Sequence, residues 1–426
     1  MIFKKDSKST NIKNYFLENF LSLSFLQFFS GVLPLITIPF LTRVLGLQSF
    51  GSYIFIIAII TFLDLIISYG FRISATQKIA QNSKDRIKIS KVFYSVLVNK
   101  IILFFAILLI ILPLFYFVPS LSDNFFLILA GIPFLIGNLL FVDWLFQGMQ
   151  RMKFISILHI LSRVIFIIMI FIFVRNETDI AMAIFLYSFG VLVGGFLSFF
   201  IAIRMFNISS YIPSSKDIIQ EYKDGYNVFI SSFLVSLYSS VNVIILGIMH
   251  AEIFVSIYAL GEKVFRLITS FVAPFNRAIF PILANQIKEN RIIFVKDSKK
   301  YFYLIFSVFA LFAIIIFFTA PFIINILGGL DAYQSILILK ILSFAIPFFP
   351  LGAYTTYLLV INEKSQLLRR IVIFVVFINL LIIFPMTYFF KAIGVAIVTL
   401  LITILVTILQ SYSVFSIKQN KIINNS

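Results

Sequence analysis

Six basic residues, Lys100, Arg163, Lys263, Arg266, Arg277 and Lys340, and three acidic ones, Asp64, Asp143 and Glu262, stand inside runs of sequence otherwise apolar enough to lie in a bilayer. A cation at a lipid-facing helix centre costs roughly 2.5–3.5 kcal/mol on insertion scales, so six would cost on the order of 15–20 kcal/mol. Complete pairing with the three acids still leaves three positive charges. The economical arrangement is a water-filled, electropositive cavity enclosed by helices, a place that receives an anion. Four polar residues around one proline carry the pattern furthest. At 100° per residue Lys263, Arg266, Ser270 and Arg277 fall within about 60° of one another, one stripe with Asn276 beside it, although Pro274 interrupts the helix they share. Other charges have plainer uses. Glu262 and Arg266 have the favourable i, i+4 spacing of any helical ion pair, and Lys100, about a third of the way into its run, is within snorkelling distance of the membrane surface.

The elements that must hold these residues follow from composition. Of 426 residues, 61% are hydrophobic and 12% charged, with a mean hydropathy of +1.08. A soluble domain averages about 45–50% apolar and about 25% charged, so the chain reads as an all-α polytopic membrane protein. Soluble enzymes and nucleic-acid-binding proteins are thereby disfavoured. There is no cysteine, and the two histidines, His159 and His250, are far apart, so no metal cluster can be written. No phosphate-binding G-x-x-x-x-G-K-[ST] loop occurs, and no polar tract is long enough to form a catalytic domain. The expectation is a protein that is not an enzyme and needs no cofactor, driven by a gradient or by its substrate.

A bilayer core of ~30 Å takes about 20 apolar residues per helix. Twelve such runs can be placed, at 16–41, 52–70, 92–117, 125–147, 154–174, 181–203, 227–249, 256–282, 301–327, 333–361, 371–390 and 392–417. The first follows Lys4, Lys5, Lys8 and Lys13 but is too long for a signal peptide, so it reads as a retained span. Sorting the loop cations places 25 on one side and three, Arg43, Arg175 and Lys391, on the other. By the positive-inside rule both termini are cytoplasmic. Prolines 34, 39, 274, 281, 347 and 350 mark kinks, with span one the expected moving element.

The simplest division is an N-terminal six-helix bundle over 1–206, a cytoplasmic linker over 207–226 and a C-terminal six-helix bundle over 227–426. The halves share faint likeness: RVLGLQSFGSYIF against VIILGIMHAEIFVSIYAL, and KISKVFY against KDSKKYFY. An even number of spans per half makes the repeats parallel, and transporters built so bind substrate between the halves.

Four segments carry a resemblance: LPLITIPFLTRVLGLQSFGSY (33–53), YGFRISATQKIA (69–80), DWLFQGMQRM (143–152) and YALGEKV (258–264). They resemble the Wzx O-antigen flippases, the polysaccharide-transporter branch of the MATE-like MOP exporter superfamily. The resemblance implies twelve transmembrane helices in two six-helix bundles around a central cavity. It further implies a multi-pass protein of the bacterial inner membrane, acting in lipopolysaccharide biosynthesis. The implied task is to move undecaprenyl-pyrophosphate-linked oligosaccharide units from the cytoplasmic to the periplasmic leaflet. Membrane lipids and the polysaccharide polymerase would be its partners, and no nucleic acid is expected. The lipid II flippases of the superfamily share the Arg-Val-Leu-Gly turn, with its arginine facing the cavity, which implies a deeper place for Arg43 than the outer rim.

Pyrophosphate carries about two negative charges, and arginine presents paired donors suited to its oxygens. The expected substrate-binding set is therefore Arg43, Arg163, Lys263, Arg266 and Arg277, with Lys100 and Lys340 as second choices. Asp64, Asp143 and Glu262 are the expected counter-charges or carriers of a coupling proton. Trp144, Tyr238, Asn242 and Asn276 are candidates for contacts to sugar. Rival readings are a MATE-like multidrug exporter, which would want an acidic cavity, and a lipid II flippase, which usually has two further spans. A channel or a membrane-embedded glycosyl-transfer enzyme stands further off, because neither pore repeats nor a large polar loop is present.

Overall fold

A computed structural model of the chain describes residues 6–423. Side chains are described over 31–416, apart from 32, 35, 112, 114–116, 120, 239, 277, 278, 281 and 288. Among the described residues there is no strand. Lipid demands this, since a backbone without water must satisfy its own N–H and C=O groups within the segment.

The helices in order are α1 (Asp6–Ser68), α2 (Phe71–Gln81), α3 (Arg86–Phe117), α4 (Pro119–Ser122), α5 (Phe125–Leu140), α6 (Asp143–Gly148), α7 (Met152–Phe173) and α8 (Ile180–Phe206). There follow α9 (Ser215–Ser239), α10 (Val241–Met249), α11 (Glu252–Ser270), α12 (Val272–Glu289), α13 (Arg291–Gly328), α14 (Gln334–Ser343), α15 (Phe348–Ile361) and α16 (Ser365–Ile423). All twelve apolar runs lie on these helices, which are cut differently from the runs. Helix α1 carries the first two and breaks at Gly46, whose φ of 71° and ψ of 166° suit glycine. Helix α16 carries the last two and breaks at Lys391, at φ 50°. Eight helical segments among the described residues are long and apolar enough to cross a membrane, nine if α9 and α10, bent by 47°, form one broken span. The chain is thus a multi-pass helical membrane protein.

Pro274, Pro347 and Pro350 of the second unit stand at helix breaks as expected, between α11 and α12 and between α14 and α15, whereas the prolines of α1 do not. Helix α1 passes through Pro34 and Pro39 and breaks instead at Gly46. Pro274 and Pro350 sit in the first turns of α12 and α15, and Pro347 precedes α15. Near a helix start the missing N–H costs little. The side chain of Pro281 lies outside the described residues.

Two compact units emerge: one holds the chain up to Thr37 together with Ile56–Phe233, the other Ile38–Phe55 and the chain from Leu234 onward. The segment 207–226, expected as a linker, is pinned within the first unit. Lys91 on α3 pairs with Asp217 at 2.6 Å, and Lys78 on α2 bridges Glu221 at 2.7 Å and Asp224 at 2.6 Å. Its charges therefore serve as anchors for α9. The first unit has a core of Phe71, Ile79, Phe93, Leu145 and Phe146, with Trp144 inside it at 3% exposure.

Candidate functional site

In the first unit the backbone turns sharply between α1 and α2. Tyr69 takes φ 46°, and its ring stacks on Phe229 at 4.4 Å and meets Tyr222 edge-on at 5.4 Å. Gly70 passes so close to α9 that a Cβ there would fall on the carbonyl oxygen of Gly225. Helix α2 packs against α6, where Thr76 Oγ1 lies 3.2 Å from the carbonyl oxygen of Trp144. Together these contacts wall a cavity of about 710 Å³, lined among others by Thr61, Asp64, Arg72, Gln77, Gln147 and Ser232. Arg72 is exposed and has no ion-pair partner among the described residues.

Behind this wall lies a group of charges. Asp64 Oδ1 is buried without a hydrogen-bond partner. Asp64, Asp143, Lys100 and Arg72 act on one another electrostatically. Lys100 is 5% exposed and donates to the carbonyl oxygen of Asn138 at 3.0 Å, so it turns inward and does not snorkel. Asp143 opens α6 and meets His159 Nε2 at 2.9 Å, while the imidazole stacks on Phe141 with ring centres 4.3 Å apart. Arg163, one turn beyond His159 on α7, has no acid partner among the described residues. The phenol it senses is that of Tyr187, which in turn senses Asp64.

The second unit holds a different arrangement. Arg266 Nε donates to Glu262 Oε1 at 2.8 Å along α11. Arg266 also borders a cavity of about 170 Å³, with Tyr238, Thr356, Thr403, Thr407 and Gln410 among its other walls. Phe265 and Phe349 meet edge-on there at 5.6 Å. Lys263 has no acid partner among the described residues. Lys340 lies over the ring of Phe317 at 5.2 Å, a cation–π contact. Arg43 is exposed, three residues before the break at Gly46. The side chain of Arg277 lies outside the described residues, and the expected continuous stripe is divided, since α11 ends at Ser270 and Arg277 belongs to α12.

Of the five span cations with described side chains, Arg266 is met closely by an acid, and Lys100 lies in the field of Asp64 and Asp143. Among the expected sugar contacts only Tyr238 borders a described cavity. Trp144, Asn242 and Asn276 are each 3% exposed or less, so core packing claims them. Sequence reasoning passed over Arg72 as a loop cation and over Gln147 altogether, yet both stand in the segments YGFRISATQKIA and DWLFQGMQRM. It also missed Thr399, Thr403, Thr407 and Gln410, whose spacing of four, four and three marks one face of a helix.

Similarity to known proteins agrees with this architecture. The inward-facing conformation of a multidrug resistance MATE family transporter of the MOP superfamily superposes with a TM-score of 0.72 at 14% identity, covering 91% of this chain and 96% of that one. The lipid II flippase MurJ, in an inward closed conformation, gives 0.70 at 18% identity, covering 92% and 87%. This chain shares the fold of those two proteins. The "Putative O-antigen transporter" of Escherichia coli (strain K12) is 30% identical over 408 residues, 95% of this chain and 97% of that protein. A protein of the same name from Shigella dysenteriae is 26% identical over 387 residues, 89% of this chain and 95% of that protein. Residues 16–287 match the model of the polysaccharide biosynthesis protein family, and the chain belongs to that family.

Proposed function

We propose that this protein is an O-antigen or related polysaccharide transporter, a flippase that carries undecaprenyl-pyrophosphate-linked repeat units from the cytoplasmic to the periplasmic leaflet of the inner membrane. Alternating access of two six-helix bundles spanning the membrane twelve times, with both termini cytoplasmic, is the mechanism that the parallel repeats and the MATE-type fold support. The observation that carries the reading is Arg72, free of an ion pair among the described residues, in the wall of a cavity of about 710 Å³. A pyrophosphate needs charge-assisted donors when it leaves water, and a guanidinium supplies two at once.

Asp64 and Asp143 are the counter-charges of the empty site, as Glu262 is for Arg266. A bound dianion competes with Asp64 and Asp143 for the attraction of Arg72 and Lys100, and these acids are the candidate carriers of a coupling proton. Arg163 and Lys263, each without an acid partner among the described residues, extend the anion path, and Arg43, Lys340 and Arg277 supply further positive charge. The polyprenyl tail stays in the bilayer. A drug exporter of the same fold would want an acidic cavity, and an arginine in this wall opposes a cationic cargo.

Complementation of a flippase deletion tests the reading. Arg72→Glu should lower surface polysaccharide by about tenfold or more, the worth of one charge-assisted hydrogen bond, with unchanged protein in the membrane. Arg72→Lys should retain an intermediate level. Wild-type polymer from Arg72→Glu would overturn the assignment.

A further inference from the structure

We infer that the smaller cavity of the second unit is a subsite for one uncharged sugar ring of the cargo, an inference that rests on the flippase reading. Thr399, Thr403 and Thr407 project from one face of α16, and each lies within hydrogen-bond distance of the carbonyl one turn before it, at 2.9, 2.7 and 2.8 Å. A hydroxyl has one proton and two lone pairs. Thr407 also lies 2.8 Å from the carbonyl oxygen of Phe348, and Tyr258 Oη meets Thr399 Oγ1 at 3.0 Å; with their protons given to the backbone, Thr403 and Thr407 keep acceptor lone pairs for the cavity and Thr399 keeps one.

Gln410, 2% exposed, completes the row. One pole of its amide is engaged by Thr355 at 2.9 Å and Thr356 at 3.3 Å. The other pole has no partner among the described residues, and the residue lines the cavity. Acceptors in a row beside an open amide pole match the alternating hydroxyls of a pyranose. The edge-to-face rings of Phe265 and Phe349 give its C–H face an apolar seat.

Charge argues against the other occupants. Glu262 holds Arg266 at 2.8 Å, so this wall has no surplus charge to draw a pyrophosphate. The volume, about 170 Å³, has room for about one ring. At the floor, a Cβ on Gly352 would stand 3.1 Å from Thr407 Oγ1, so the glycine keeps the cavity open.

The full-length protein in lipid nanodiscs would be titrated with citronellyl-pyrophosphoryl-N-acetylglucosamine and with citronellyl pyrophosphate lacking sugar. Thr403→Val, nearly isosteric, should weaken binding of the sugar-bearing probe about five- to tenfold, the worth of one hydrogen bond, and leave the sugar-free probe unchanged. Gly352→Ala, favourable to a helix, should act the same way by filling the floor, which keeps the inference open to test if Thr403→Val fails to fold. Equal weakening of both probes, or of neither, overturns the subsite while the flippase reading stands. Failure of the wild type to bind either probe overturns both.

Discussion

The cavity beside Arg72 and the cavity beside Arg266 differ in size, in charge and in what holds their arginine. The first is about 710 Å³ and includes an arginine with no ion-pair partner among the described residues. The second is about 170 Å³, and its arginine is clamped by a glutamate one helical turn away. An i, i+4 carboxylate turns a guanidinium from an anion receptor into a neutral polar wall. Where the acids lie farther off, as Asp64 and Asp143 do from Arg72, the attraction is present but yields to a dianion. One protein can therefore hold a charged head group and an uncharged sugar with the same residue type.

The largest effect should come from cutting into the charge group behind the first cavity. Lys100→Met leaves Asp64 and Asp143 in a buried setting without their inward-facing lysine. It also leaves the carbonyl oxygen of Asn138 without its donor, and a buried acceptor left unmet costs about 1–3 kcal/mol, so the variant should lose thermal stability and membrane abundance together, read by the melting temperature of the solubilised protein. Unaltered melting would mean that Lys100 does not hold this group together.

A smaller and more informative effect should follow from Glu262→Gln, which releases Arg266. Affinity for sugar-free citronellyl pyrophosphate should rise by about tenfold, since a charge-assisted hydrogen bond is worth about 1.5–3 kcal/mol. No gain would show that the second cavity owes its neutrality to something other than Glu262. The smallest effect is expected at Lys78, whose bridge to Glu221 and Asp224 is half-buried. Lys78→Ala should cost about 1 kcal/mol or less, visible as a small fall in melting temperature with polysaccharide export retained.

Much of this fold was legible in the sequence because lipid permits few alternatives: long apolar runs had to be helices, and among the described residues eight or nine helical segments are long and apolar enough to span. Their division was not legible. Proline is conspicuous in a sequence, but Gly46 and Lys391 break helices through backbone angles that hydropathy does not register. The candidate site was legible in part. Counting charges inside apolar runs found Lys100, Arg266, Asp64, Asp143 and Glu262, which do form local groups. The i, i+4 spacing already pointed to the pairing of Glu262 with Arg266, found at 2.8 Å, but neither spacing nor counting could reveal that Arg72, just outside a run, returns to a cavity wall through the turn at Tyr69 and Gly70. His159 has no partner that sequence spacing names, since His250 is far away. Its pairing with Asp143 at 2.9 Å depends on α6 and α7 folding back on each other, a tertiary fact. The threonines of α16 were readable from spacing alone, but hydroxyls in apolar helices usually bond their own backbone, and only the cavity distinguishes these.

The most direct measurement is translocation by the purified protein in proteoliposomes, with a fluorescent undecaprenyl-pyrophosphate-linked sugar in both leaflets and a membrane-impermeant quencher outside. Wild-type protein should expose the inner-leaflet lipid to the quencher within minutes, and Arg72→Glu at equal protein content should be no faster than protein-free liposomes. Exposure at the wild-type rate by Arg72→Glu, or no exposure by the wild type, would contradict transport of a pyrophosphate-linked lipid through the Arg72 cavity.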